Sequence, residues 1–265
     1  MVNLILSVTI GLIVIIFFVF VKKSRFSHQN LLVGVYQSLK SSLPLQYRYF
    51  KPETQENKLY PLLIFLHGSR QRGTDNNSQL NEEALFWVSD QVQDKHPSFV
   101  ILPQCPPTKK WVNTKDISYP FNNYNQDEIP ESEILKTLLE LTIKFTSQYP
   151  IDLNRIYISG FSMGGSGTWD LLTRHPEIFA AAIIVAGASD PNKAFTITQI
   201  PVKVFNGELD HIIPPELNVK MCNELVKLGG KCDLAVLKGE WHECVMKALQ
   251  TPGLVDWLFE QKKNL

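Results

Sequence analysis

Six short apolar runs recur along the chain, separated by longer segments with helical spacing. They are Leu62–Leu66, Phe99–Leu102, Ile156–Ile158, Ala182–Val185, Val202–Phe205 and Leu234–Leu237. None alternates strictly between apolar and polar residues, so each reads as a strand covered on both faces, the condition found in parallel sheets. Between them, Ile134, Leu138, Leu141 and Phe145 recur at spacings of four, three and four, which is one face of a helix. A second helical pattern follows Ser162 and stops at His175-Pro176. A third runs from Leu217 to Leu228 and ends at Gly229-Gly230, and Val245–Phe259 closes the chain. This alternation predicts an α/β fold: an open, mostly parallel central sheet with helices on both faces.

A chain of 265 residues suits one sizeable domain, and a hydrophobic content of 44% is enough for a real core. Lysine plus arginine equals aspartate plus glutamate at 26 each, so no net positive charge points to a nucleic-acid partner. A small neutral or apolar substrate fits better. Cys105, Cys222, Cys232 and Cys244 form no C-x-x-C pair, which leaves zinc and redox motifs without support. Cys222 and Cys232 could pair in an oxidising compartment, but isolated semi-buried thiols are the simpler expectation for so few cysteines.

The N-terminus has a different character. Leu4–Val21 is almost wholly apolar and is followed by Lys22, Lys23 and Arg25. As a helix it would cross roughly 27 Å, about the thickness of a bilayer core. A cleaved signal peptide should carry a positive leading segment, a shorter apolar stretch and a small-residue cleavage site, and these are absent or weak. The expectation is a transmembrane helix with its basic flank over residues 1–25, a juxtamembrane connector over 26–42 and a catalytic domain over 43–265. The basic cluster lies on the C-terminal side of the span, which leans the catalytic domain toward the cytoplasm, with export as the alternative.

Gly160-Phe161-Ser162-Met163-Gly164 is a G-x-S-x-G pattern set between an apolar strand and a helix. In that setting the pattern makes a sharp turn that lifts the serine hydroxyl above the sheet edge. The hydroxyl is a weak nucleophile and needs a base, and the base needs an acid to hold its tautomer. On such a sheet the acid follows the serine and the histidine follows the acid. Of the three histidines after Ser162, only His242, just past the last apolar run, has both the order and the sheet edge. His175 ends the helix behind the serine, and His211 lies beside the candidate acid. Asp210 is the favoured acid, because its loop faces the one carrying His242. Asp190 is the runner-up and Glu208 a weaker third.

Acyl transfer also requires donors for the developing oxyanion. The N–H of Met163, next after the nucleophile, is one candidate, and the N–H of Ser69 in His67-Gly68-Ser69 is the other. His67 itself reads as a brace for that loop. Residues 104–130 form a long connection rich in proline, asparagine and aromatics, either a rim or lid or an ordinary excursion with aromatics packed beneath it. Trp111 in this loop and Trp241 beside His242 are the candidate substrate contacts. His242-Glu243 lacks the second histidine of a zinc-protease motif, so no metal is expected.

With these motifs in register, residues 43–262 resemble an α/β-hydrolase, and most closely an esterase group with feruloyl-esterase-like, polyhydroxybutyrate-depolymerase-like and "predicted peptidase" members. The likeness rests on "LHGSRQRGTDN" (66–76), "PQCP" (103–106), "NRIYISGFSMGGSGTWD" (154–170), "NGELDHIIP" (206–214) and "GEWHE" (239–243). The resemblance implies a sheet of about eight strands and a Ser–His–Asp serine esterase acting on small ester substrates without a cofactor. One departure stands out: Arg70 and Gln71 occupy positions where the group usually has glycine and glutamate. A peptidase, a lipase or phospholipase, or a catalytically silent binding protein on the same fold are the alternatives to a membrane-anchored carboxylesterase.

Overall fold

The computed structural model describes residues 30–39, 41, 43–114 and 125–263. The six expected strands are present as β3 (Tyr60–Leu66), β4 (Phe99–Gln104), β5 (Ile151–Phe161), β6 (Ala181–Val185), β7 (Val202–Gly207) and β8 (Cys232–Leu237). Two further strands precede them, β1 (Leu32–Tyr36) and β2 (Leu45–Phe50). All eight form one sheet in the order β1-β2-β4-β3-β5-β6-β7-β8. From β4 to β8 neighbours pair in parallel, while β2 runs antiparallel to both β1 and β4.

Side chains alternate across the sheet and feed two cores. Leu62, Ile64 and Leu66 of β3, with Phe99 and Ile101 of β4, point to one face. There they meet Ile134, Leu138 and Phe145 of α3 (Glu133–Gln148), Trp169 and Leu172 of α4 (Met163–Arg174), and Met221 and Leu225 of α5 (Pro215–Lys227). Leu63 and Phe65, with Val100 and Leu102, point to the other face. They pack on Phe86 of α1 (Glu82–Phe86), Val92 of α2 (Asp90–Gln93), Leu249 of α6 (Val245–Leu249) and Leu258 of α7 (Leu254–Glu260). Burying both faces of every central strand explains the continuous apolar runs.

Four expectations need correction or bounding. The connector expected over 26–42 contains β1, an edge strand whose Leu32, Val33 and Val35 remain exposed, so folded structure begins before residue 43. The closing helix expected over Val245–Phe259 is two helices, because Pro252 lacks an N–H and Gly253 adopts φ +74° between them. Cys222 and Cys232 form a disulfide rather than two isolated thiols, since the Gly229-Gly230 turn returns the chain so that their Cα atoms lie 5.2 Å apart. The apolar segment 4–21 lies outside the described residues, and among the described residues no helix is long and apolar enough to cross a membrane.

Candidate active site

β5 hands its chain to α4 through a single residue, Ser162, with φ +56° and ψ −118°. A non-glycine residue in such a conformation is strained and persists only where its surroundings hold it. Here the Ser162 N–H donates to the Val185 carbonyl at 2.9 Å, tying the turn to β6. The flanking glycines are required by close approach. A Cβ on Gly164 would overlap the Leu66 carbonyl and lie 2.8 Å from that of His67, and one on Gly160 would strike the Gly164 carbonyl. The small residues let α4 sit directly against the end of β3.

The partners come from the carboxyl ends of β7 and β8. His242 Nε2 lies 2.7 Å from Ser162 Oγ, and His242 Nδ1 lies 2.8 Å from Asp210 Oδ2. Asp210 is buried, and its other oxygen accepts the Ile212 and Ile213 N–H groups, both at 2.9 Å. Those bonds fix the carboxylate plane, so Nδ1 is the nitrogen that carries the histidine's proton and Nε2 is left to accept from the serine. The relay extends inward. Asn206 Nδ2 donates to Asp210 Oδ2 at 3.3 Å and to the Ile213 carbonyl at 3.0 Å, and Asn206 Oδ1 accepts from Asn218, which in turn accepts from the Trp169 indole. Asn206 and Asn218 are fully buried, and sequence reasoning did not find them.

The other acids have separate duties. Asp190 caps a 3₁₀ turn through the Asn192 N–H and accepts the Gln126 N–H at 2.9 Å. Glu208 accepts the Gly239 N–H at 2.8 Å, and His175 pairs with Glu131 at 2.6 Å. His211 stands edge-on to Trp241 on the outer rim, with ring centres 5.4 Å apart.

Met163 opens α4 and Ser69 opens a 3₁₀ turn, Ser69–Gln71, so the ladder of neither turn uses their N–H groups. His67 holds the second of these turns in place. Its Nδ1–H donates to the Gly68 carbonyl at 2.6 Å, its Nε2 accepts the Cys105 N–H at 3.0 Å, and its own carbonyl accepts the Trp111 indole N–H at 3.0 Å. Burial pushes the His67 imidazole down to about 4, so it is neutral at physiological pH. Arg70, placed where glycine was expected, sits in the 3₁₀ turn and is not among the residues with positive φ. It reaches across to Glu243 at 3.0 Å.

Trp111, expected to touch substrate, is instead completely buried. Its ring packs edge-on to His67 and against Gly167 of α4, and it has no face open to a ligand. Trp241 is largely exposed but lines neither chamber beside the serine. Tyr119, Phe121 and Tyr124 of the suspected lid lie outside the described residues.

Ser162 opens on two chambers. One, of about 220 Å³, is walled by Met163, Val112, Ile212 and Ile213, with Arg72 and Lys110 at its edge. The other, of about 320 Å³, contains His242 and Phe161 and is edged by Glu82, Glu83, Glu243 and Arg70. Burial lifts the Glu83 carboxyl, helped by the charges of Glu243 and Glu82. The thiols of Cys105 and Cys244 are both pushed up to about 12 by burial, so neither supplies a thiolate. Among the described residues no group of three or more His, Cys, Asp or Glu side chains is placed to hold a metal ion.

A mostly parallel eight-stranded sheet with a serine in the strained turn after β5, and an acid and a histidine at the ends of β7 and β8, defines an α/β-hydrolase. Residues 49–252 match the phospholipase/carboxylesterase family, and the chain belongs to it. A thermostable esterase of known structure is 34% identical and superposes with a TM-score of 0.79, over 88% of this chain and 64% of that one. The chain thus spans less than two thirds of that esterase's length. A ferulic acid esterase (16% identity, TM-score 0.63, 86% of this chain and 97% of that one) shares the fold. So does the acylaminoacyl peptidase of Pyrococcus horikoshii (16% identity, TM-score 0.68, 92% and 43%). Among curated proteins none matches.

Proposed function

We propose that the protein is a serine hydrolase of carboxylic esters working through an acyl-serine intermediate. The observation that carries this reading is the unbroken hydrogen-bonded series from Ser162 Oγ through His242 to the buried Asp210. Ser162 Oγ attacks the ester carbonyl as its proton passes to His242 Nε2, and Asp210 stabilises the imidazolium. The N–H groups of Met163 and Ser69 receive the oxyanion. The tetrahedral adduct collapses, the bond to the alcohol oxygen breaks, and His242 returns its proton to that oxygen. Water then attacks the acyl-serine with His242 again as base, releasing the acid and restoring Ser162. One ester and one water give one acid and one alcohol.

The small chamber beside Met163 favours a short acyl group over a lipid chain. Residues 4–21 act as a membrane anchor, on the strength of their length and apolar character. The Cys222–Cys232 disulfide favours the oxidising side of that membrane, which is the alternative to the cytoplasmic orientation.

The test is hydrolysis by the purified full chain of p-nitrophenyl esters graded in acyl length, beside the matching p-nitroanilides and Ser162→Ala. Short esters cleaved by the wild type alone are the expected result. Cleavage of the anilides at comparable rates would replace the esterase with a peptidase, and activity surviving in Ser162→Ala would remove the nucleophile.

A further inference from the structure

The two chambers beside Ser162 differ in charge, and the chemistry assigns each a side of the substrate. His242 must protonate the departing alcohol, so the alcohol occupies the chamber that contains His242. The acyl group therefore lies in the other, between Val112, Met163, Ile212 and Ile213. Those four walls are apolar, yet the chamber is edged by a half-buried guanidinium.

Arg72 is held by neutral acceptors only. Its Nε donates to the Ser69 carbonyl at 3.1 Å, and its Nη1 to the carbonyls of Pro107 and Lys109 at 3.2 and 3.4 Å. Among the described residues no carboxylate lies in ion-pair range of it, and Nη2 has no partner. Lys110 Nζ, bonded to the Thr114 carbonyl at 2.8 Å, lines the same wall. The guanidinium is only partly withdrawn from water and has no counter-charge among the described residues. The brace uses Nε and Nη1 and leaves Nη2 over for a ligand. The opposite chamber carries Glu82, Glu83 and Glu243 against the single cation Arg70, which is already paired with Glu243, so it offers an anion no unpaired positive group.

We propose that Arg72 makes the acyl chamber a subsite for short acyl groups ending in a carboxylate, so that the preferred substrates are half-esters of dicarboxylic acids. The proposal rests on the esterase reading above. The acyl methylenes lie against Val112, Ile212 and Ile213, and the distal carboxylate takes the guanidinium through Nη2.

The test compares kcat/KM of the full chain for monoethyl glutarate and monoethyl adipate with that for ethyl valerate, followed in a pH-stat. The half-esters should be preferred by about tenfold or more, the return on one hydrogen bond between charged groups. That ratio should shrink as salt is raised on the wild-type protein, a readout that needs no variant. Arg72→Met should bring the ratio to one or below, and Arg72→Lys should leave an intermediate value. A wild-type preference for the neutral ester would overturn the proposal. So would Arg72→Met lowering all three values by one factor, which is what a purely structural brace would do. Absence of hydrolysis with every ester, together with no reaction of Ser162 with a fluorophosphonate, would instead refute the esterase reading beneath it.

Discussion

His67 offers a stability test whose size follows from its surroundings. Burial comes first among the causes that push its imidazole from 6.5 down to about 4, and the Arg72 charge adds to it. The hydrogen bonds explain why the neutral form is held. Nε2 accepts the Cys105 N–H, so a proton there would set two donors face to face. In the unfolded chain the same histidine takes up a proton below about pH 6.5. As pH falls from about 6.5 to about 4, the unfolded state therefore gains a proton that the folded state refuses, and stability declines across that window. The gap corresponds to about 3 kcal/mol, at about 1.36 kcal/mol per pH unit. It is a large share of a typical domain's stability. His67→Gln can supply one acceptor and one donor but cannot titrate. Urea unfolding of both proteins, followed by tryptophan fluorescence between about pH 7 and about pH 4, isolates the term, because all other titrating groups are common to the pair. The wild type should lose about 3 kcal/mol more than the variant. Equal losses would mean that His67 is protonated in the folded protein and that its bond from Cys105 is wrongly described.

Three further outcomes are expected. Asp210→Asn should lower kcat by about 10³- to 10⁴-fold through the wrong histidine tautomer, while Asp190→Asn, whose side chain accepts from the Gln126 and Asn192 N–H groups, should change it little. Steady-state kinetics on one short ester checks this, and the reverse pattern would move the acid to the end of β6. Asn206→Ala strands the Asn218 amide and loosens Asp210, so it should destabilise the fold by about 2–4 kcal/mol and lower kcat more than it changes KM. Denaturant melts and kinetics on the same preparation separate these two effects. Reduction of Cys222–Cys232, which closes a short loop with a sequence separation of 10, should cost about 2–3 kcal/mol, seen as a fall in Tm on adding dithiothreitol.

What the sequence could reveal divides along physical lines. The central strands were legible because burial on both faces leaves continuous apolar runs, as in Leu62–Leu66 and Phe99–Leu102. β1 and β2 escaped that criterion. Leu45–Phe50 mixes tyrosines with arginine and presents no run, while Leu32–Tyr36 is apolar but for Gly34 yet stays largely in water as an edge strand, so its run does not mark a strand buried on both faces. Ser162, Asp210 and His242 were legible because their chemistry dictates residue type, order and sheet edge together. Trp111 was misread because a loop's sequence does not say whether its aromatic turns toward the cleft or under it, and here the indole finds the His67 carbonyl inside. Asn206 and Asn218 carry no signature at all. An amide at a strand end and one on a helix become a relay only once β7, α5 and α4 are packed. The acyl chamber likewise joins Arg72, Val112 and Ile213, which stand far apart in the chain and have no pattern to connect them.

The most direct measurement is labelling of the full-length protein with a fluorophosphonate, beside Ser162→Ala and His242→Ala, with the modified residue located by peptide mass spectrometry. The account predicts one phosphonylated serine, at position 162, with no label in Ser162→Ala and label slowed by orders of magnitude in His242→Ala. A folded protein that takes no label, or takes it at another residue, would contradict the claim that Ser162 is an activated nucleophile.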